Sequence, residues 1–411
     1  MAMLARDDLS VRQAPLLDTA TPIVLFADEW GGYGGTAGYV IMLSSELARR
    51  GYQVAVICLD VPGTAEMRRI IANSGAEVLL LPAAHGPIGL RQLLAVRQLR
   101  ALLRRYRGGV LALMMGYFTR GGTATLTARL AGIQAVVRAD LTPPEPPISP
   151  REARFLRLKD RLTDRVVVGA IENVEAFGRT IRRDPRRMHV IHTGIQLDRF
   201  SPGESRNEVR EEFAYTANDF VIGTVARLDD ERKGIRDFLR AAALVSEDDA
   251  RARFLIAGDG VLRPALEELA AELGIRNRVT FAGWRADVPR LLDALDAFVM
   301  PSHFEGGPTT VLEAMAMALP VVATNVGMVP EVVNDGVTGL IVEPGDSKGM
   351  AQALQELLSD AALRELMGRA AREHALSAFS IERMADDYLR LFAEVSTLAE
   401  VRRLAGPLRL A

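Results

Sequence analysis

Glu305 and Glu313 bracket the stretch EGGPTTVLE, with Gly306, Gly307, Pro308, Thr309 and Thr310 between them. Proline suits the first position of a helix. The pattern therefore predicts a loop carrying Glu305 and a helix that opens at Pro308 and carries Glu313 about a turn and a half in. Gly306 and Gly307 leave the backbone bare for close approach by a ligand. The amides that open such a helix, near Thr309 and Thr310, can hold a phosphate without any side chain. Two carboxylates beside a phosphate then have another task, and the hydroxyls of a sugar and a ribose suit them. By itself the spacing also fits two solvated surface acids.

Arg227 and Lys233 carry the charge a diphosphate would need. In DFVIGTVARLDDERKGIRDFLRAAALV an apolar strand delivers Arg227 into a loop, and Lys233 stands near the start of the next helix. Cations at the C-terminal edge of a parallel strand are placed to neutralise phosphate. His189 and His192 stand close together without carboxylate partners, so no metal site is read.

A repeated strand, turn and helix must position these groups. AFVM, residues 297–300, precedes the Glu305 loop. FLIAGDGVLRPALEELAAELG and NRVTFAGWRADVPRLLDALDAFVM repeat the unit, and PVVATNVGMVPEVVNDGVTGLIVEPGD extends it. The first half does the same, from TPIVLFA through DEWGGYGG and a helical pattern to YQVAVICLD. Such alternation builds doubly wound parallel sheets. Gly32, Gly34 and Ala37 also fit a G-x-G-x-x-A pattern, with Asp60 ending the second strand. That is a dinucleotide fingerprint and keeps open an NAD-dependent oxidoreductase, a reading that leaves the second half of the chain unexplained.

The chain has 411 residues, 49% of them hydrophobic, enough for two domains with proper cores. Its single cysteine, Cys58, excludes an intramolecular disulfide and fits a core strand and a reducing cytoplasm. No apolar run reaches membrane-spanning length, and residues 1–20 read as a loose tail. Residues 1–200 hold 27 Lys and Arg against 18 Asp and Glu, whereas the remainder holds 23 against 34. A basic half beside an acidic half suggests different partners. GLRQLLAVRQLRALLRRYRGG is an arginine-rich amphipathic pattern, so residues 88–107 are a candidate for peripheral contact with an anionic membrane face. The alternative is an outer-layer helix with a solvated basic face. No nucleic-acid partner is expected.

EGGPTTVLEAMAMALPVVAT, ARLDDERKG and GGYGGTAGYVIMLSSELARRGYQVAVI together resemble the retaining GT-B glycosyltransferases of family four, also called glycosyl transferases group 1. The resemblance covers roughly Pro22 to Leu398 and is strongest from Val221 to Asp346. It implies two Rossmann-like domains facing across a cleft. Residues 21–195 would hold the acceptor, residues 196–379 the nucleotide-sugar donor, and a crossover helix over about 380–411 would return to the first domain, with a hinge near Thr193 to Pro202. It also implies that Glu305 contacts the donor sugar, Glu313 the ribose, and the backbone between them the diphosphate. Gly34 and Gly35 match a glycine pair near the donor phosphates, and Trp284 and Arg285 follow the position whose backbone reads the nucleobase.

The activity so implied is hexosyl transfer from a UDP or GDP sugar to a glycolipid, polysaccharide or small metabolite. It needs no metal and no cofactor besides the nucleotide-sugar co-substrate. No carboxylate nucleophile is evident, which favours front-face attack. The sequence departs from the family in two places. Ala226 replaces a common glycine, and the histidine expected near Arg138, Ala139 and Asp140 is missing. Arg138 and Asp140 are therefore candidates for the first domain's cleft, with surface pairing as the other explanation. A silent nucleotide-sugar-binding module is the remaining alternative.

Overall fold

Strands covered on both faces must be apolar along their whole length. That is what IVLFA, VLALMM and VVAT provide. The structure, a computed structural model, describes residues 14–27, 35–82, 88–115, 122–142, 144, 148–203 and 205–404. They form two units, one running to Thr193 and resuming at Ile381, the other spanning Gly194–Ser380.

The first unit holds β1 (Ile23–Ala27), α1 (Gly35–Arg49), β2 (Val54–Asp60), α2 (Ala65–Asn73), β3 (Glu77–Pro82), α3 (Ile88–Arg104) and β4 (Val110–Met115). It continues through α4 (Gly122–Ala131), β5 (Ala135–Asp140), α5 (Pro150–Asp160), β6 (Arg165–Val168), α6 (Ile171–Ile181) and β7 (Met188–Val190). The sheet is parallel throughout, in the order β3-β2-β1-β4-β5-β6-β7. Cys58 is buried in β2, and burial pushes its thiol up to about 11. In α3, Leu99 and Leu103 are buried while Leu93 and Leu94 are exposed, so its leucines divide between core and solvent.

The second unit holds α7 (Arg206–Glu212), β8 (Phe220–Val225), α8 (Ile235–Asp248), β9 (Ala252–Ala257), α9 (Arg263–Glu272), β10 (Val279–Gly283) and α10 (Val288–Asp293). After these come β11 (Ala297–Met300), α11 (Thr309–Ala316), β12 (Val321–Thr324), α12 (Val329–Val332), β13 (Gly339–Val342), α13 (Ser347–Ser359) and α14 (Ala361–Ala378). Its sheet is also parallel, in the order β10-β9-β8-β11-β12-β13. Chain order therefore reverses between β8 and β11. A ligand crevice opens beyond the carboxyl ends of strands at such a switch point, and Arg227 and Lys233 follow β8 while Glu305 follows β11. Pro308 is one residue outside the helix it was expected to open. Its ψ of 93° is extended, and Thr309 is the first helical residue.

α15 (Ile381–Leu404) belongs to the first unit. Tyr388, Leu389, Phe392 and Val395 are buried in the same core as Val40, Leu43 and Leu47 of α1. The Tyr39 hydroxyl donates to the Tyr388 hydroxyl at 3.0 Å, and Arg165 and Glu394 pair at 2.6 Å.

Candidate active site

Lys233 ends a single 3-10 turn, Glu231–Lys233, that follows β8. The Asp230 side chain opens that turn by accepting from the Arg232 amide at 3.0 Å. Gly234 closes it at φ 65° and lies against the next loop so tightly that a Cβ would come within 1.9 Å of the Pro301 carbonyl. Only glycine tolerates both conditions. The His303 amide donates to the Arg232 carbonyl at 2.7 Å, and the His303 ring lies 2.5 Å from Asp237 of α8. The Lys233 turn and the Glu305 loop are thus fastened together through backbone and side chain.

Across that contact Lys233 Nζ donates to Glu305 Oε1 at 2.7 Å, and Ser302 Oγ donates to the same oxygen at 2.8 Å. Both partners are largely buried, with 24% and 13% of their side-chain surface exposed. A second glycine, Gly327 at φ 55°, supports the loop from behind, where a Cβ would lie 2.2 Å from the Glu305 carbonyl. Glu305 is therefore positioned by three segments of the chain.

Glu313 lies on α11, half-buried, and accepts no hydrogen bond among the described residues. Burial pushes its carboxyl up to about 7, opposed only by the charge of Arg199. Thr309 and Thr310 open α11 with no side chain capping its first amides. Those amides, with the partly exposed Gly306 and Gly307, remain open to an anion. Arg227 is exposed and turned to Asp229 at 3.2 Å. No bond links it to Lys233 or Glu305, so the two expected cations share a strand end but not a partner.

Trp284 is 71% exposed. Arg285, its neighbour, is held by Asp287 at 2.7 Å and by Glu212 of α7 at 2.5 Å, and these ion pairs keep its guanidinium bound to the protein. Gly34 lies outside the described residues. Gly35 is the first residue of α1, and a Cβ there would meet nothing within 4 Å among the described residues. Asp60 ends β2 and pairs with Arg68 at 2.8 Å.

Arg138 and Asp140 depart from the surface pairing offered for them. They do pair, at 2.6 Å, but with no surface exposed, inside a buried cluster rather than on a surface. Arg183 binds Asp140 at 2.8 Å and Asp160 at 2.8 Å. Burial pushes the Asp140 carboxyl up, yet Arg138 and Arg183 outweigh it and hold the carboxyl below its ordinary range. Lys159 of the same cluster is brought down to about 7, first by burial and then by Arg138. The sequence reading missed Lys159, Asp160 and Arg183, since each comes from a helix or helix end with no local motif. Among the described residues no group of three or more His, Cys, Asp or Glu side chains could hold a metal ion. No helix among them is long and apolar enough to cross a membrane.

The family model described as Glycosyl transferases group 1 matches residues 219–360, and that described as Glycosyltransferase Family 4 matches residues 33–199. The chain is 30% identical to a D-inositol 3-phosphate glycosyltransferase of Mycobacterium marinum, over 97% of this chain and 85% of that protein. It is 32% identical to an alpha-D-kanosaminyltransferase of Streptomyces kanamyceticus, over 49% of this chain and 53% of that one. Among solved structures, Anabaena Alr3699/HepE in complex with UDP superposes with a TM-score of 0.79 at 21% identity, covering 91% of this chain and all of that one (100%). A glycosyltransferase from Rickettsia africae also reaches 0.79, at 19% identity over 92% and 99% of the two chains. With two parallel switch-point sheets and matches that run from one end of the described fold to the other, the chain belongs to the family four glycosyltransferases and has their GT-B fold.

Proposed function

We propose that this glycosyltransferase moves a sugar from a nucleoside-diphosphate sugar to an acceptor hydroxyl with retention, without a metal. The observation that carries the reading is the Lys233–Glu305 ion pair beside the uncapped amides of α11. As the bond from the anomeric carbon to phosphate breaks, negative charge grows on the leaving diphosphate. Lys233, Arg227 and the amides at Thr309 and Thr310 stabilise that charge. Glu305 accepts from donor-sugar hydroxyls, and Glu313 from the ribose. The acceptor oxygen attacks the face the phosphate is leaving, and the phosphate takes its proton.

UDP is the favoured donor nucleotide, because structural neighbours hold UDP and UDP-glucose. The name of the inositol phosphate relatives favours a small phosphorylated polyol acceptor over a polysaccharide. Exposed Leu93 and Leu94 on α3 favour peripheral contact at the inner membrane face of a cytoplasmic enzyme.

Calorimetric titration of UDP, GDP, ADP and NAD in EDTA, with wild type and Lys233→Ala, tests the reading. One nucleoside diphosphate should bind the wild type and bind the variant about tenfold more weakly. NAD binding without a diphosphate preference would instead restore the oxidoreductase reading, and tight UDP binding without turnover on any acceptor would favour a silent module.

A further inference from the structure

The first unit carries a cavity of about 960 Å³ between α5 and the segment that leads from the end of α6 into β7. Arg151, Arg154, Arg161 and Arg182 line it, together with Phe155 and Leu158. The two apolar side chains are 59% and 58% exposed, although both sit on a helix whose other face packs in the core.

Guanidinium groups in this unit usually have partners. Arg50 pairs with Glu46 and Asp386, and Arg129 and Arg402 both pair with Asp164. The guanidiniums of Arg151, Arg154, Arg161 and Arg182 make no hydrogen bond or ion pair among the described residues. Nor do the two carboxylates of the lining neutralise them. Asp160 is held by Arg183 at 2.8 Å, and Asp184 by Arg186 at 3.0 Å. Arg182 caps α6 with φ 55° and ψ 42°, the left-handed conformation that residues with a Cβ disfavour and glycine ordinarily supplies. Four exposed guanidiniums without a protein counter-charge, one of them on a disfavoured backbone, thus border uncovered apolar surface in a single groove.

We infer that this groove binds a phosphorylated amphiphile. The guanidiniums receive the phosphate oxygens, as their planar donors suit, and Phe155 with Leu158 covers the hydrocarbon part. The site shares no residue with the donor machinery of the second unit. Its occupancy does not depend on which sugar the enzyme moves.

The probes are monomeric dihexanoyl phosphatidic acid, inorganic pyrophosphate, and phosphatidylcholine vesicles with and without phosphatidic acid. They are titrated against the full chain and two surface variants, R154E/R161E and F155S/L158S, whose folding is checked by thermal melting. Dihexanoyl phosphatidic acid should bind the wild type and bind R154E/R161E about tenfold more weakly or worse. F155S/L158S should weaken the short-chain lipid and leave pyrophosphate unchanged. Retention on phosphatidic acid vesicles, lost in R154E/R161E, identifies a bilayer lipid. Binding of the monomer without vesicle retention identifies a free phosphorylated amphiphile. Equal binding of dihexanoyl phosphatidic acid to wild type and R154E/R161E, or none to either, overturns the inference.

Discussion

Lys233 Nζ lies 2.7 Å from Glu305 Oε1, joining two loops that leave adjacent strands on either side of the switch point. The cation is thus held in place before any phosphate arrives, and the carboxylate is oriented by the same contact. Each group is a positional constraint on the other, so they are expected to act as a unit.

Lys233→Ala is expected to lower kcat by about 100-fold or more, the scale of losing one preorganised electrostatic donor. Acceptor KM should change little. Adding Glu305→Gln to that variant should cost much less than Glu305→Gln alone, as in other residue sets that act together. Steady-state kinetics of the two single variants and the double variant check this. A defect confined to acceptor KM would remove Lys233 from the leaving-group role.

Glu313 should make both stability and nucleotide binding depend on pH near neutrality. Its carboxyl is raised from 4.5 to about 7, so the folded chain keeps a proton there that the unfolded chain has released. Stability therefore falls as pH rises between those values and levels off above them. Glu313→Gln should remove this dependence, gaining on the order of 1–2 kcal/mol relative to wild type at pH 8 and almost nothing at pH 4. Only the ionised carboxylate is a pure acceptor for ribose hydroxyls. UDP affinity of the wild type should accordingly drop by up to about tenfold from pH 7.5 to pH 6. Melting curves and calorimetry at these pH values decide it, and a pH-independent wild type would refute it.

The buried cluster around Arg138 should matter for folding rather than turnover. Asp140→Ala leaves Arg138 and Arg183 without a shared carboxylate, and breaking such a buried pair costs about 3–5 kcal/mol. Denaturant unfolding should show that loss, while kcat per folded molecule and UDP affinity stay near wild type. Normal stability with impaired turnover would instead give Asp140 a place at the substrate.

Two glycine substitutions should behave in opposite ways. Gly234→Ala meets the Pro301 carbonyl on a left-handed backbone and should destabilise the second unit by about 2 kcal/mol or more. Gly35→Ala has open space around its Cβ and should leave the melting temperature unchanged or slightly raised. Lowered nucleotide-sugar turnover in a fully stable Gly35→Ala variant would mark that position as one kept bare for a ligand.

The sequence made the strands legible because parallel strands need continuous apolar runs, and it made Glu305 and Glu313 legible because a helix start lies between them. The order of the sheet is not local information, so the meeting of Lys233 with Glu305 could not be read from the chain. Arg138 and Asp140 show the same limit. Their alternate spacing puts both on one face of β5, but whether that face is open depends on how α5 packs and on Arg183, 43 residues beyond Asp140. The arginine groove has no motif at all, since its cations come from a helix and from a separate turn. Pro308 missed by one residue because its ring fixes φ but leaves ψ free to stay extended.

Because α15 completes the core of the first unit, that unit is assembled from pieces separated by the whole of the second. On the ribosome the part of α1 that meets α15 stays uncovered until residues beyond Ile381 emerge. The second unit, continuous in sequence, can fold first. Completion of the first unit therefore waits for the whole of the second to be synthesised.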